Sequence, residues 1–497
     1  MRARRRFFSQ PADETPLDWR TICAVQAFSM CSIAATTALF STAFFMAKRF
    51  DAQASERELA WRAGALTAMK PAFAGLTSMI WGHAGDRFGF ERAIAMSGLL
   101  HAGATAAFAF ARGNGQALAL RALQGAADGL VVMQKPALAL VSDATNAARA
   151  FSTTGVAYGV ASAFSPALAA ALSEPCENWD MFKGSESKCP KFLERYPFFL
   201  SNIWVSALAV PALAAYAKGW MQIDCHRDED KREVVVELEL LATNDSETDN
   251  GASSKDGKIE TKSVDGAADE IVWWRDANVR AAIATQVGCT FVTLCGAEMT
   301  PLWMATSYEN GGLGWTSLEI GAFGTVMGTV ILMFQVFLFT RLVRKHGIVS
   351  LLTYALMVNV VAFPLHPIAH VVAKRSKALV WVVIVCLGLA RGMSGPIIMG
   401  GSSLILNNSS PRDTLGAVNG FSGTFGNAAR ALAPLIGGAL VAMMVAMSPN
   451  TPARELWPFA FVSFGFLSLT ILSRRLSTEL NIPRTRSSTN LSDGGVP

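Results

Sequence analysis

Twelve runs of about twenty apolar residues, each long enough for an α-helix to cross about 30 Å of hydrocarbon, constrain this chain more than any other feature. They fall at Thr21–Ala47, Ala63–Gly82, Ala93–Ala111, Gln116–Val141, Phe151–Leu172 and Pro197–Ala217. After a polar stretch come Ala281–Thr306, Ser317–Phe339, Ile348–Ala373, Ala378–Leu406, Ala417–Met447 and Leu456–Leu472. Inside lipid only helices and closed barrels satisfy their own backbone, and none of these runs alternates with a barrel strand's period of two. The expected fold class is therefore all-α: a membrane protein with twelve transmembrane helices in two six-helix bundles. The low charge content, 16% against about 25% in soluble proteins, points the same way.

The count divides the chain. Residues 1–20 form a tail, 21–218 a first six-helix bundle, 219–276 a linker, 277–473 a second bundle and 474–497 a second tail. The first apolar run is too long for a signal-peptide core, so the basic start (Arg2, Arg4, Arg5, Arg6) is read as leading into a retained helix. The linker holds 16 acidic and 7 basic residues. With so little apolar surface to offset the entropy of ordering, it is expected to be largely disordered. Basic residues elsewhere suit faces that lie against anionic lipid.

The halves look like a diverged repeat. Gly155 and Pro166 in the fifth span recur as Gly423 and Pro434 in the eleventh, both offset by 268 residues. Repeats of this kind put a solute site near the midplane between bundles. Between the second and third spans stands Gly82-His-Ala-Gly-Asp86-Arg87-Phe-Gly89, read as a tight turn whose acid and base can latch one bundle to the other. This sequence resembles the loop signature of the major facilitator superfamily. The resemblance implies the major facilitator fold, and it puts this loop, the linker and both termini in the cytoplasm.

Further stretches are similar to zinc-induced-facilitator-like transporters, relatives of drug:proton antiporters. They are Glu298-Met-Thr-Pro-Leu302-Trp303 with Gly311-Gly312-Leu313, Asn407-Asn408-Ser409 with Gly416-Ala417-Val418-Asn419-Gly420, Arg430-Ala431 with Pro434 and Gly437-Gly438, and Arg195-Tyr196-Pro197-Phe198-Phe199-Leu200. The resemblance implies transport of small organic ions, with antiport against protons as the family pattern. The fifth span departs from the antiporter motif, having Ser165-Pro166 and Ala169-Ala170.

Ionisable residues within the spans are the sharpest pointers to chemistry, since each costs about 2.5–3.5 kcal/mol at a helix centre. Arg121, Asp128 and Lys135 stand seven apart in the fourth span, which on a continuous helix lines one face at intervals of about 10 Å. With Lys70, Arg391 and Arg430 they are expected around a central cavity, Lys70, Arg121, Lys135, Arg391 and Arg430 as its basic lining. The basic surplus favours an anionic or zwitterionic solute. Glu298 and Asp128 are the proton-coupling candidates. Asp128 has basic neighbours on its own helix that hold it ionised, whereas Glu298 has none between Ala281 and Thr306, so burial there meets less opposition to protonation.

Other signals are weaker. Cys176 and Cys189 share one outer loop, where a disulfide or two free thiols are both open. His366 and His370 lie on one helical face, but Pro367 intervenes and no third ligand follows, so no metal is expected. No phosphate-cradling loop marks an ATP-driven pump, and no catalytic constellation marks an enzyme. The reading is a secondary transporter of a small organic solute by alternating access, proton-coupled. A facilitative uniporter and a non-transporting receptor on the same fold are the alternatives. Its partners would be the solute, protons and membrane lipids, for a monomer with no cofactor and no nucleic acid. Plasma and organellar membranes are both open.

Overall fold

Side chains start several helices by taking up their orphaned backbone N–H groups. Asp18 accepts from the N–H of Arg20 (3.0 Å) and Thr21 (3.4 Å). Ser55 with Glu58 and Thr316 with Glu319 form reciprocal capping boxes. Asp276 and Ser376 cap two more. The computed structural model describes residues 15–142, 146–182, 189–223, 273–410 and 414–481. Most of the 219–276 linker and most of the two tails lie outside the described residues.

Twelve helical spans follow among the described residues. We number them α1 (Trp19–Thr37 and Leu39–Phe50, bent by 48°), α2 (Glu56–Phe88), α3 (Phe90–Phe108), α4 (Asn114–Ala127 and Leu130–Leu140), α5 (Ala147–Leu172) and α6 (Phe199–Ala217). The second half holds α7 (Ala277–Ala305), α8 (Ser317–Phe339, continuing as Thr340–His346), α9 (Ile348–Ala373), α10 (Lys377–Ser409), α11 (Leu415–Ala446) and α12 (Leu456–Ser473). Eight are long and apolar enough to cross a membrane on their own, and bent α1 makes a ninth. The other three, α2, α3 and α4, are interrupted by charged, polar or small residues, and complete six spans in the first half.

Two local differences from the sequence reading matter. The Gly82–Gly89 segment is not a loop: α2 stays helical through Phe88, and Gly89 alone, at φ 87°, turns the chain into α3. Gly347 (φ 74°) turns α8 into α9 in the same way. The expected continuous face of α4 is also absent. The helix stops at Ala127, Asp128 sits at φ −85°, ψ 71°, and helix resumes at Leu130. Neighbours satisfy the opened backbone: Ser97 Oγ donates to Ala127 O and accepts from Gly129 N (both 2.8 Å), and Trp81 Nε1 donates to Ala126 O (2.8 Å). Arg121, Asp128 and Lys135 thus do not share one stripe.

The halves pack together mainly along α2 against α11 and α5 against α8. Towards the Glu56 end these pairs touch backbone to backbone. A Cβ on Gly64 would lie 2.8 Å from Pro434 O, one on Gly438 2.7 Å from Ala60 O, and one on Gly328 2.3 Å from the Ala163 Cα. Further along α5 and α8, Gly155 meets only the Gln335 side chain at 3.3 Å. Towards the Asp86 end, Gly82 on α2 and Gly420, Gly423 and Gly426 on α11 meet nothing within 4 Å. The halves are thus shut at the Glu56 end and meet past the middle through side chains such as Asn427, whose Cβ would lie 3.1 Å from a Cβ on Gly75. We call the Asp86 end, where these glycines of α2 and α11 meet nothing, the parted end. Beside the shut end, Cys176 and Cys189 are bonded to each other with Cα atoms 5.6 Å apart.

Because overpacking a tight contact costs about 1–3 kcal/mol, Gly438→Val should lower the thermal midpoint of the purified protein by a corresponding amount. Gly103→Val, where a side chain meets nothing within 4 Å, should leave it unchanged. Equal effects of the two substitutions would remove the close α2–α11 contact from this account.

Candidate functional site

The break in α4 places a carboxylate inside the first bundle, and the bundle supplies its counter-charge. Lys70 Nζ on α2 lies 2.8 Å from Asp128 Oδ2, both side chains being almost wholly buried. Ser32 Oγ on α1 donates to the same oxygen at 2.5 Å. Lys70 also donates to Ser32 O (2.9 Å), Ser32 Oγ (3.0 Å) and Thr36 Oγ1 (3.1 Å). The close approach requires Gly125, where a Cβ would fall 2.1 Å from Lys70 O. One ion pair therefore ties α1, α2 and α4. His101 on α3, which the sequence reading passed over, holds α4 one turn earlier through Gln124 O (3.0 Å).

Arg121 is fully buried and turned towards backbone. Its Nη1 donates to Ala35 O (3.0 Å) and Gln124 Oε1 (2.5 Å), its Nε to Leu66 O (3.3 Å), and Phe108 lies under the guanidinium at 5.7 Å. Lys70 and Arg121 are thus bonded inside the first bundle and do not line the cavity between bundles. Glu298 is buried on α7 with Thr67 of α2 beside it, Gly437 of α11 against its Cβ, and the Arg121 charge acting on it from the other half. It has no ion-pair partner within 4.0 Å among the described residues.

A cavity of about 160 Å³ lies between the halves. The first half contributes Thr37, Phe40, Tyr158 and Ser162, and the second Thr300, Phe323, Met327 and Arg391 among others. Pro166 and Pro301, also on its walls, have no N–H to give the carbonyls of Ser162 and Ala297. Arg391 is held from three sides. Its Nη1 donates to Thr300 Oγ1 (3.1 Å) and to His366 Nε2 (3.0 Å), its Nη2 to Gly296 O (3.4 Å), and the Phe363 ring lies 4.2 Å away. His366 can accept there because its Nδ1 faces Ala362 O (2.9 Å), which only accepts and so fixes the proton on Nδ1. Nothing in the sequence pattern marked His366 for this role; its partner at i+4, His370, instead bonds Gly312 O (2.7 Å) and stacks on Tyr308.

The remaining candidates flank this centre. Lys135 is exposed and within electrostatic reach of Arg430, whose Nη1 donates to Asn427 Oδ1 (2.8 Å). Gly82, Asp86, Arg87 and Gly89 lie at the parted end, Asp86 and Arg87 being exposed. At the shut end the sequence reading missed Glu56. Its carboxylate accepts from Ser307 N (3.1 Å), Ser307 Oγ (3.1 Å) and Asn310 Nδ2 (3.0 Å), clasping the α7–α8 connection of the other half. A carboxylate at the start of a helix reads as a cap, so the pattern gave no hint of it.

Comparison with known proteins agrees with this architecture. The Major Facilitator Superfamily model matches residues 25–181. A protein named as a probable peptide/nitrate transporter of Arabidopsis thaliana is 23% identical over 413 residues, covering 83% of this chain and 81% of its own. The zinc-induced-facilitator-like 1 protein of the same plant is 21% identical over 413 residues, covering 82% and 81%. The crystal structure of a human organic anion transporter superposes with a TM-score of 0.58 at 17% identity, covering 92% of this chain and 100% of that one.

Removing one partner of a buried ion pair leaves an uncompensated charge and costs about 3–5 kcal/mol. Lys70→Met and Asp128→Asn should each destabilise the purified protein on that scale, and the double variant by clearly less than their sum. Strict additivity in thermal or denaturant melts would show that the two side chains do not act as a pair.

Proposed function

We propose that this chain, a membrane protein of the major facilitator superfamily, carries a small organic solute across its membrane by alternating access. The observation that carries this reading is the asymmetry between the two ends. Glycine contacts and the Glu56 clasp shut one end, the other is parted, and a cavity reached by side chains from both halves lies between. Rocking one half against the other about that cavity would expose it to each side in turn. The Asp86 end, with both termini, is assigned to the cytoplasm on the resemblance to the superfamily's loop signature, so the described state faces inward.

Proton coupling is assigned to Glu298. Asp128 is already neutralised by Lys70 at 2.8 Å, and taking a proton would leave that lysine uncompensated. Glu298 lies where α7, α11 and α2 of the opposite half converge, so its charge bears on the contact that must open and close. The solute is assigned as anionic or zwitterionic, because Lys135, Arg430 and Arg391 surround the route with few acids. The peptide/nitrate transporter name of one similar protein is in keeping with that class.

Proteoliposomes screened with small organic acids, with and without a pH gradient, test both parts. The wild type should accumulate a solute only with the gradient. Glu298→Gln, which keeps size and polarity but cannot release a proton, should abolish accumulation while sparing exchange. Accumulation by Glu298→Gln would pass the role to Asp128. Gradient-independent flux would make the protein a uniporter, and binding without flux would make it a receptor.

A further inference from the structure

Arg391 has five N–H bonds, and the protein uses three of them. Two on Nη1 go to Thr300 Oγ1 and His366 Nε2, and one on Nη2 goes to Gly296 O. Among the described residues nothing accepts from Nε–H or from the second Nη2–H. Nε and Nη2 share one edge of the planar group, the edge on which a carboxylate docks with two parallel hydrogen bonds. Arg391 is one of the residues that line the central cavity. On the facing wall stand the hydroxyls of Ser162 and Tyr158, close enough to each other to bond. Between them the lining is apolar, with Phe40, Phe323, Met327 and Ile331. A donor pair facing a largely apolar channel describes a specific kind of ligand.

We propose that the Nε–Nη2 edge of Arg391 is a carboxylate-binding site, that His366 is its positioning residue, and that the ligand is a small organic monocarboxylate with an apolar body. The cavity of about 160 Å³ has room for a compact molecule in this state. The positioning role follows from hydrogen-bond accounting. Neutral His366, with its proton fixed on Nδ1, accepts from Nη1, and Thr300 takes the other Nη1 proton. With both engaged, the guanidinium cannot turn its end into the cavity, and the opposite edge is presented instead. Phe363 at 4.2 Å closes one face. This inference deepens the proposed anion preference and rests on that reading for its physiological meaning, but not for its test.

The test is direct binding to the purified full chain in lipid nanodiscs by isothermal titration, without any transport step. The probes are straight-chain and aromatic monocarboxylates of three to eight carbons, each beside its primary amide, which matches it in shape but carries no charge. At least one carboxylate should bind the wild type, its amide at least tenfold more weakly. Arg391→Gln should weaken the carboxylate at least tenfold and abolish the preference over the amide. Arg391→Lys, which keeps the charge but lacks the fork, should also weaken it. His366→Phe, which keeps the ring stacking without an acceptor, should weaken binding, and His366→Gln, which restores an acceptor, should recover most of it. Monodisperse gel-filtration profiles establish that the variants are folded.

Wild-type protein that binds no probe, amides that bind as well as acids, or Arg391→Gln with unchanged affinity would each overturn the proposal. His366→Phe with wild-type affinity would overturn the positioning role. Carboxylate binding through Arg391 in a protein without flux would sink the transport reading alone. Flux of an acid that is indifferent to Arg391→Gln would sink this inference alone.

Discussion

Backbone-to-backbone contact between the two halves, at positions where no side chain intervenes, is the constraint on which the rest of this structure depends. In lipid there is little hydrophobic gain in bringing helices together, so close packing through small residues has to supply the attraction. Gly64 against Pro434 and Gly438, and Gly328 against Ala163, allow that approach from the Glu56 end to the middle of the bundles. Shutting this end leaves the other parted and creates the cavity in between. The Glu56 clasp adds hydrogen bonds to the same closure. It lies at the rim, where a carboxylate can be rehydrated when the end opens.

The buried charges divide by what they touch. Lys70, Asp128 and Arg121 are bonded within the first half, to each other or to the carbonyls of Ala35 and Leu66. They hold a broken helix in place, and both partners of the ion pair stay in the same half, so rocking does not separate them. Glu298 and Arg391 belong to the second half but lie at the boundary with the first. Neither has an ion-pair partner within 4.0 Å among the described residues. A moving interface can use such groups, because a proton or an anion can satisfy them in one state and leave in another.

The span count and the division into six and six were legible because apolar length is a property of the sequence alone. Pairing was not. The spacing of Arg121, Asp128 and Lys135 suggested one stripe only on the assumption of an unbroken helix, and α4 breaks after Ala127. The break depends on Ser97 and Trp81, which lie 30 to 45 residues away and satisfy its backbone; a local window cannot contain them. Gly125 and Gly129 on either side of Asp128 were the available hint. The Gly82–Gly89 segment read as a turn because its composition is turn-like, yet helix persists to Phe88 and within the segment Gly89 alone takes a positive φ, 87°. His366 and Glu56 were missed for a related reason: each bonds a residue distant in sequence, and each has an ordinary local explanation.

The central claim, that the two ends open and close in opposition, can be tested by measuring both in one molecule. Spin-label pairs at Gln53 and Glu309 report the shut end, and pairs at Met79 and Phe425 the parted end, with Cys23, Cys225 and Cys386 replaced by serine. Double electron–electron resonance in nanodiscs would compare the parent with Glu56→Ala, which removes the clasp. The account predicts that the Gln53–Glu309 distance lengthens while the Met79–Phe425 distance shortens. Two unchanged distances, or two that lengthen together, would contradict it.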